Sequence, residues 1–422
     1  MARTKLLSAF NIRRCLLFLY GASTCFGTFA LVGASRNFTL SFILAMLYML
    51  SLVPLLKRLP MVLHCYGKYM WLPIIFFALL CTMNVLNANE YRVPIISISI
   101  LSCMVMFVFM LIHSTYDSKA LTLGIYGFLL GTIILSVLFM LGIGVYIEAG
   151  VVVDEGERLS MFGQNQNALG LLMANGISLA LMMVIFHDNL KLKTMRFIAI
   201  VPIVFMASLL LAAASRAAFV ALLASIIIIV FLHKTKKRFS RVLLLIVGVC
   251  GMWYGLQMMA ESGGLMFERL MQTVEDGNSS GRTDIWQALI PRLAEHPILG
   301  VGQTGYAEVA HQELSAVAGS MYEYGYSPHN VLIEVFAYTG LVGLFVMLLF
   351  WGRIGVDAWH CYKYKNNLVP LLLLMPIVLS IMTGQVLANK VAWLSYAYII
   401  TMAQGCKYGK QQLNAVNMPD MQ

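Results

Sequence analysis

The feature that most constrains this chain is a series of apolar runs, each close to the length of about 20 residues that an α-helix needs to cross a bilayer. About twelve such runs can be placed along the sequence. Because an unpaired backbone amide or carbonyl is not tolerated in lipid, each run predicts a helix. The runs centre on residues 15–33, 37–56, 69–88, 93–112, 121–147, 167–186, 197–214, 217–232, 242–260, 330–351, 368–388 and 391–405.

Composition supports a membrane protein and excludes a soluble domain. Hydrophobic residues make up 60% of the chain and charged residues only 11%, with a mean hydropathy of +0.81. The net charge of +10 raises the question of nucleic acid. The basic residues, however, lie between the apolar runs and form no basic domain, so we expect no nucleic-acid partner. The prediction is an all-α polytopic protein of about twelve transmembrane helices, with residues 1–422 forming a single transmembrane domain.

The distribution of lysine and arginine predicts the orientation in the membrane. Alternate loops, taken with both termini, hold 21 of the 29 basic residues, and the other loops hold the remaining eight. Since cytoplasmic loops carry the excess of basic residues, both termini are expected in the cytoplasm. The basic N-terminus has no convincing small-residue cleavage site, which favours a retained first span over a signal peptide.

One long polar interval, residues 261–328, separates the ninth and tenth apolar runs. By the same orientation rule it lies on the side opposite the termini, together with a shorter loop, residues 148–166. The long interval contains arginines, several tyrosines and short amphipathic segments. We interpret it as a helical loop that forms the roof of an active site. All eight cysteines lie outside this loop, so neither disulfides nor a metal site are indicated, and no cofactor is expected.

Three of the predicted helices begin with polar residues on the loop side. The sixth opens with residues 164–167 (Gln-Asn-Gln-Asn), the eighth with Ser215 and Arg216, and the tenth with residues 327–330 (Ser-Pro-His-Asn). Ser215 is a natural N-cap, and proline suits a helix start. The positive end of a helix dipole next to an arginine favours an anion. These three starts therefore indicate an anion site on the loop side.

Arg216, Arg282 and His329 are the candidate catalytic residues. A guanidinium group suits phosphate because its planar fork donates two parallel hydrogen bonds. His329 lies near a helix N-terminus, which disfavours its protonated form, and a neutral imidazole can accept a proton. Structural alternatives remain open: Arg216 as an interfacial anchor, Arg282 paired with Asp284, and His329 as a cap of its own helix. Glu334, one turn further on, either orients His329 or is a lone buried acid.

Further residues at the same helix starts and in the tyrosine-rich turn before His329 are candidate substrate ligands. Together with the two arginines they form the predicted substrate-binding set: Arg216, Arg282, Asn330, Gln164, Asn167 and Tyr326.

Four short motifs, in this order, resemble those of the O-antigen ligase and polymerase superfamily of bacterial membrane glycosyltransferases. They are Ser-Arg-Ala-Ala-Phe at 215–219, Ser-Gly-Arg-Thr-Asp-Ile-Trp at 280–286, His-Pro-Ile-Leu-Gly-Val-Gly at 296–302, and His-Asn at 329–330 with Gly340 and Gly343 beyond. Each piece is short, but the ordered set is specific for the superfamily. The motifs span 215–343, and the number of spans and the single large loop look most like the O-antigen ligases.

The resemblance implies a GT-C-like, metal-independent and inverting glycosyltransferase of the bacterial inner membrane with a periplasmic active site. Its donor would be a glycan on undecaprenyl diphosphate, and its acceptor a sugar hydroxyl of lipid A-core. It also implies that Arg216 and Arg282 bind the diphosphate, while His329 acts as a base or positions the acceptor hydroxyl.

Two alternatives remain open. A polymerase of the same superfamily would join one lipid-linked repeat to another and shares these motifs. A transporter or flippase for the same lipid is the alternative from a different class. Transporters place ionisable residues near mid-membrane on broken helices, whereas the candidates here lie at the outer surface, which favours chemistry.

Overall fold

The computed structural model describes residues 2–27, 29, 39–89, 94–148, 157–186, 193–232, 271, 282–318, 327–383 and 386–416. This part of the chain is predominantly helical. Its α-helices are α1 Ala2–Ser23, α2 Leu40–Leu52, α3 Leu59–Leu86, α4 Pro94–Tyr116, α5 Ala120–Met140, α6 Gln166–Phe186, α7 Lys193–Ala212, α8 Arg216–Leu232, α9 Arg282–Leu293, α10 Gly302–Ala318, α11 Val331–Lys365, α12 Val369–Thr383 and α13 Lys390–Val416. Short 3-10 helices cover Thr24–Phe26 and Val53–Arg58.

The helices support an all-α membrane protein. Within the described ranges, five helical segments are long and apolar enough to cross a bilayer, and three shorter apolar helices accompany them. The ninth apolar run, 242–260, lies outside the described residues, as does most of 261–281. The count of twelve spans and the topology of the long loop therefore stay predictions.

Some local expectations need correction. The fifth run was expected to be helical through residue 147, but α5 ends at Met140. Strand β1, Val145–Glu148, follows and pairs antiparallel with β2, Glu157–Ser160. The shorter polar loop thus contains a two-stranded ribbon that an apolar-run analysis does not detect. The β-branched and aromatic residues at 145–147 suit a strand, and glycines at 142 and 144 interrupt the helical run.

Basic residues join several helices at one end of the bundle. The guanidinium of Arg14 in α1 forms an ion pair with Asp117 at 2.6 Å, and Arg58 donates to the carbonyl oxygen of Thr115 at 2.7 Å. Both partners lie at the α4–α5 connection. These residues belong to segments that the charge count assigns to one side of the membrane, and the structure gathers them at one end.

The other end, which we call the loop end, joins the α3–α4 connection to α10. The backbone amide of Gln303 donates to Oδ1 of Asn84 at 2.6 Å, and Asn89 donates to the carbonyl oxygen of Thr304 at 3.1 Å. Helix α10, in the described part of the long polar interval, therefore packs on this end of the bundle, and its role as the roof of an active site stays a prediction.

Helix α11 is broken by Gly340, whose φ of 62° and ψ of −162° are accessible essentially only to glycine. The segment 296–301, the third motif, packs against this break. The amide of Val301 donates to the carbonyl oxygen of Ala337 at 2.8 Å, and the amide of Leu341 donates to that of Pro297 at 2.8 Å. A Cβ atom at Gly340 would overlap the carbonyl group of Ile298. The third motif therefore binds and packs against the backbone of α11 at its break.

Candidate functional site

His329 lies on a tight turn directly before α11. Its φ is 51°, in the left-handed region, and its amide donates to the hydroxyl oxygen of Ser327 at 3.2 Å. Asn330 is the N-cap of α11, and its Oδ1 accepts from the amides of Leu332 and Ile333 at 2.9 and 3.3 Å. The helix begins at Val331, so the expectation that Pro328 opens it is wrong. Because the Asn330 oxygen caps the helix, only its nitrogen is left for the predicted substrate role.

Helix α9 begins at Arg282 and packs beside the turn that carries His329. Ile285, Leu289 and Leu293 of this helix are buried. The indole nitrogen of Trp286 donates to the carbonyl oxygen of Pro328 at 2.8 Å, which fixes the start of α9 beside the turn. Arg282 is the first residue of α9. Its charge acts on His329, as the pKa of the imidazole indicates.

His329 is held in its neutral form. Burial, followed by the positive charge of Arg282, lowers the pKa of His329 from 6.5 to about 4. Both effects disfavour the imidazolium ion, since it would be desolvated and repelled by a second cation. A neutral imidazole at pH 7 can accept a hydrogen bond from a hydroxyl group. Glu334 accepts a hydrogen bond from Tyr338 at 3.0 Å and is buried in α11.

Arg216 begins α8 after a very short turn from α7. Ala214 adopts a left-handed φ of 46°, and the hydroxyl oxygen of Ser215 accepts from the amide of Ala218 at 3.3 Å, so Ser215 is an N-cap as expected. Arg216 is partly buried. Its helix packs on α6 and α12, two helices that also line the cavity described below.

Arg158 in β2, which is not among the predicted site residues, connects two of the predicted helix starts. It is 4% exposed. Its guanidinium donates to the carbonyl oxygen of Ala213 at 3.1 and 3.0 Å and to Oδ1 of Asn167 at 2.9 Å. The side chain therefore ties the start of α6 to the α7–α8 turn that carries Arg216. An arginine in a short outer loop was the only signal in the sequence.

Gln164 and Asn167 take structural partners. Nε2 of Gln164 donates to the carbonyl oxygen of Cys25, while its buried Oε1 has no hydrogen-bond partner among the described residues. Asn167 accepts from Arg158. Their roles as substrate ligands stay predictions. Tyr326 lies outside the described residues.

A cavity of about 320 Å³ opens beside His329. Its walls are the first three turns of α6, the second half of α12 and the segment 386–392 that leads into α13. His329 lines it together with Asn167 from α6 and Asn389 from the α13 segment. The structure therefore places His329 and Asn167 in the wall of one cavity. The positive charge of Arg282 affects His329.

The comparison with known families addresses identity. Residues 201–348 match the family model described as O-Antigen ligase. This part of the chain is similar to the O-antigen ligase family. The match covers about a third of the chain and includes Arg216, Arg282, His329 and the break at Gly340. No curated protein matches the chain in sequence.

The match to the O-antigen ligase family agrees with the helical membrane architecture. Its members are membrane glycosyltransferase-like enzymes, ligases or polymerases. The matched region does not include Arg158 or the cavity wall that α6 contributes with Asn167. Their assignment to the site therefore depends on the geometry of the structure and not on the family match.

Proposed function

We propose that the protein is an O-antigen ligase, which transfers a glycan from undecaprenyl diphosphate to a sugar hydroxyl of lipid A-core at the periplasmic face of the inner membrane. The observation that carries the proposal is the placement of the Arg282 charge next to a neutral His329 at the edge of a cavity, within the region that matches the O-antigen ligase family.

The proposed reaction is a single displacement. The acceptor hydroxyl oxygen forms a bond to the anomeric carbon of the glycan while the bond from that carbon to the diphosphate oxygen breaks, with inversion. The electron pair of the broken bond leaves on the diphosphate. Arg282 and Arg216 stabilise this charge, a contribution worth about a hundredfold in rate for each donor lost at comparable sites. His329 accepts the proton of the attacking hydroxyl.

Donor binding would make His329 a better base. In the free enzyme the charge of Arg282 contributes to the low pKa of His329. A diphosphate bound at Arg282 would offset that positive charge and favour the imidazolium ion, so the pKa of the imidazole would rise. The proposed enzyme would then acquire its base when the donor arrives.

The proposal is tested by transfer with purified components. The protein is reconstituted in liposomes with a polyprenyl diphosphate glycan and lipid A-core, and glycan attached to lipid A is measured. We expect product with wild type, and losses of about a hundredfold or more for Arg216→Ala, Arg282→Ala and His329→Ala. Full activity in all three variants would contradict the assigned roles. Product that forms only with a second lipid-linked repeat as the acceptor would identify a polymerase.

A further inference from the structure

The cavity next to His329 has a lining suited to an uncharged polar ligand. Among the described residues, its polar groups are the carboxamides of Asn165, Asn167, Asn175 and Asn389, the hydroxyl of Ser380 and the imidazole of His329, and no described lysine, arginine or carboxylate lines it. The remaining wall is aliphatic. Few polar groups in a largely apolar wall are typical of small-molecule sites, and about 300 Å³ is the lower end of their volumes.

Three of the four carboxamide oxygens are already held by the protein. Oδ1 of Asn165 accepts from the amide of Asn167 at 2.9 Å, and Oδ1 of Asn389 accepts from the amide of Val391 at 2.9 Å. Oδ1 of Asn167 accepts from Arg158 at 2.9 Å. These bonds fix the three amide groups at the rim of the cavity.

Asn175 is the exception. It is 2% exposed, lines the cavity from α6, and its Oδ1 has no hydrogen-bond partner among the described residues. From the helix rise it lies about 12 Å deeper than Asn167. A buried acceptor left without a donor is destabilising, because it has lost its hydrogen bond to water and gained none in return. A ligand that supplies an O–H donor at this depth would replace the lost hydrogen bond.

We propose that this cavity binds one uncharged sugar ring, with a ring hydroxyl donating to Oδ1 of Asn175 and the C–H faces packing on the aliphatic wall. The inference rests on the proposed function and extends it, since His329 and Asn175 line the same cavity. A diphosphate is not favoured because the lining offers no cation. A polyprenyl chain is not favoured because it has no donor for Asn175. The ring belongs either to the donor glycan or to the acceptor.

The test measures binding without turnover. Two soluble probes are used: the core oligosaccharide released from lipid A, and the glycan repeat released from its diphosphate. Their dissociation constants are measured with the full-length protein in nanodiscs by saturation-transfer NMR. We expect Asn175→Leu to weaken binding of one probe by about tenfold, the equivalent of one hydrogen bond. Weaker binding of the core oligosaccharide would assign the ring to the acceptor, and weaker binding of the glycan repeat would assign it to the donor.

Two variants control for folding. Ser178→Ala changes a buried residue of the same helix, whose hydroxyl donates to the carbonyl oxygen of Ala174 at 2.7 Å, and should leave binding unchanged. Ala168→Trp places a large side chain at an exposed position of the cavity lining and should block binding without altering the interior. Asn175→Leu should not lower the unfolding temperature, because it removes an acceptor without a partner.

The inference would be overturned if neither probe bound to wild type, or if binding were unchanged in both Asn175→Leu and Ala168→Trp. It would also be overturned if sugar-free polyprenyl phosphate displaced the bound probe equally well from wild type and from Asn175→Leu. Binding that behaves as expected in a protein that transfers no glycan would instead contradict the proposed function and leave the sugar site in place.

Discussion

Arg158 is a buried cation whose described contacts hold backbone and amide oxygens in place. It donates twice to the carbonyl oxygen of Ala213 and once to Asn167. Replacing it leaves a buried carbonyl without a donor, at a cost of about 1–3 kcal/mol. We therefore expect Arg158→Met to lower the unfolding temperature and to reduce glycan transfer through the displaced α7–α8 turn.

Arg292→Met is the matched control for that prediction. The Arg292 side chain is 55% exposed and pairs with Glu295 and Glu313, and exposed ion pairs contribute at most about 1 kcal/mol. Thermal unfolding in detergent, followed by circular dichroism, compares the two variants. Equal unfolding temperatures for the two variants would mean that the hydrogen bonds of Arg158 do not hold the start of α6 and the α7–α8 turn together.

His329 gives a prediction for pH dependence. A pKa of about 4, lowered by burial and by Arg282, keeps the imidazole neutral above that pH and protonates it below. The acid limb of kcat/KM, which reports the free enzyme, should therefore lie near pH 4 and not near 6.5. Arg282→Gln removes one lowering influence, so the limb of its residual activity should move to higher pH.

Arg282→Lys retains the positive charge and serves as the control, with a limb close to that of wild type. The measurement is kcat/KM between pH 4 and 8 for the three proteins. A wild-type limb near pH 6.5, or the same limb in all three, would contradict the placement of Arg282 near a partly buried His329.

At the scale of elements, the break in α11 is a specific requirement for glycine. Gly340→Ala would place a Cβ atom against the carbonyl group of Ile298 and force alanine to a φ of 62°. Strain of this kind costs about 1–3 kcal/mol before the overlap is counted. Gly352→Ala, in the same helix with open space around it, should instead stabilise by up to about 1 kcal/mol. The difference is read from unfolding temperatures, and similar values for the two variants would refute the role of segment 296–301.

The helices followed from the sequence more fully than the site did. Length and hydropathy locate α4, α5, α6 and α11 because lipid permits no other backbone structure. The break at Gly340 was missed because it depends on packing with the segment 296–301, which is distant in sequence. The ribbon of β1 and β2 was missed because a search for long apolar runs does not test for short strands. In the site, the sequence placed His329 at a helix start. It did not indicate that Arg158 clamps Asn167 or that Asn175 lines a cavity, because those facts depend on how helices pack.

At the scale of the whole molecule, the bundle has two chemically different ends. At one end, Arg14 and Arg58 bind to Asp117 and Thr115 near the α4–α5 connection. At the other end, α10 packs on the end of α3. With the orientation predicted from the basic residues, the first end faces the cytoplasm. Lys119→Cys and Glu295→Cys, at two exposed positions, test this with a membrane-impermeant maleimide on spheroplasts. Each is introduced into a variant whose eight native cysteines are replaced by alanine, and that variant serves as the background. We expect labelling only at 295, and labelling at 119 alone would invert the topology.

The central claim is that Arg282 and His329 act together on one substrate. A double-mutant cycle in the reconstituted transfer reaction tests it most directly, with kcat/KM measured for wild type, Arg282→Gln, His329→Gln and the double variant. If the two residues serve one site, the loss in the double variant will be clearly smaller than the product of the two single losses. Losses that multiply in full would mean that the two residues act independently, and would contradict the account.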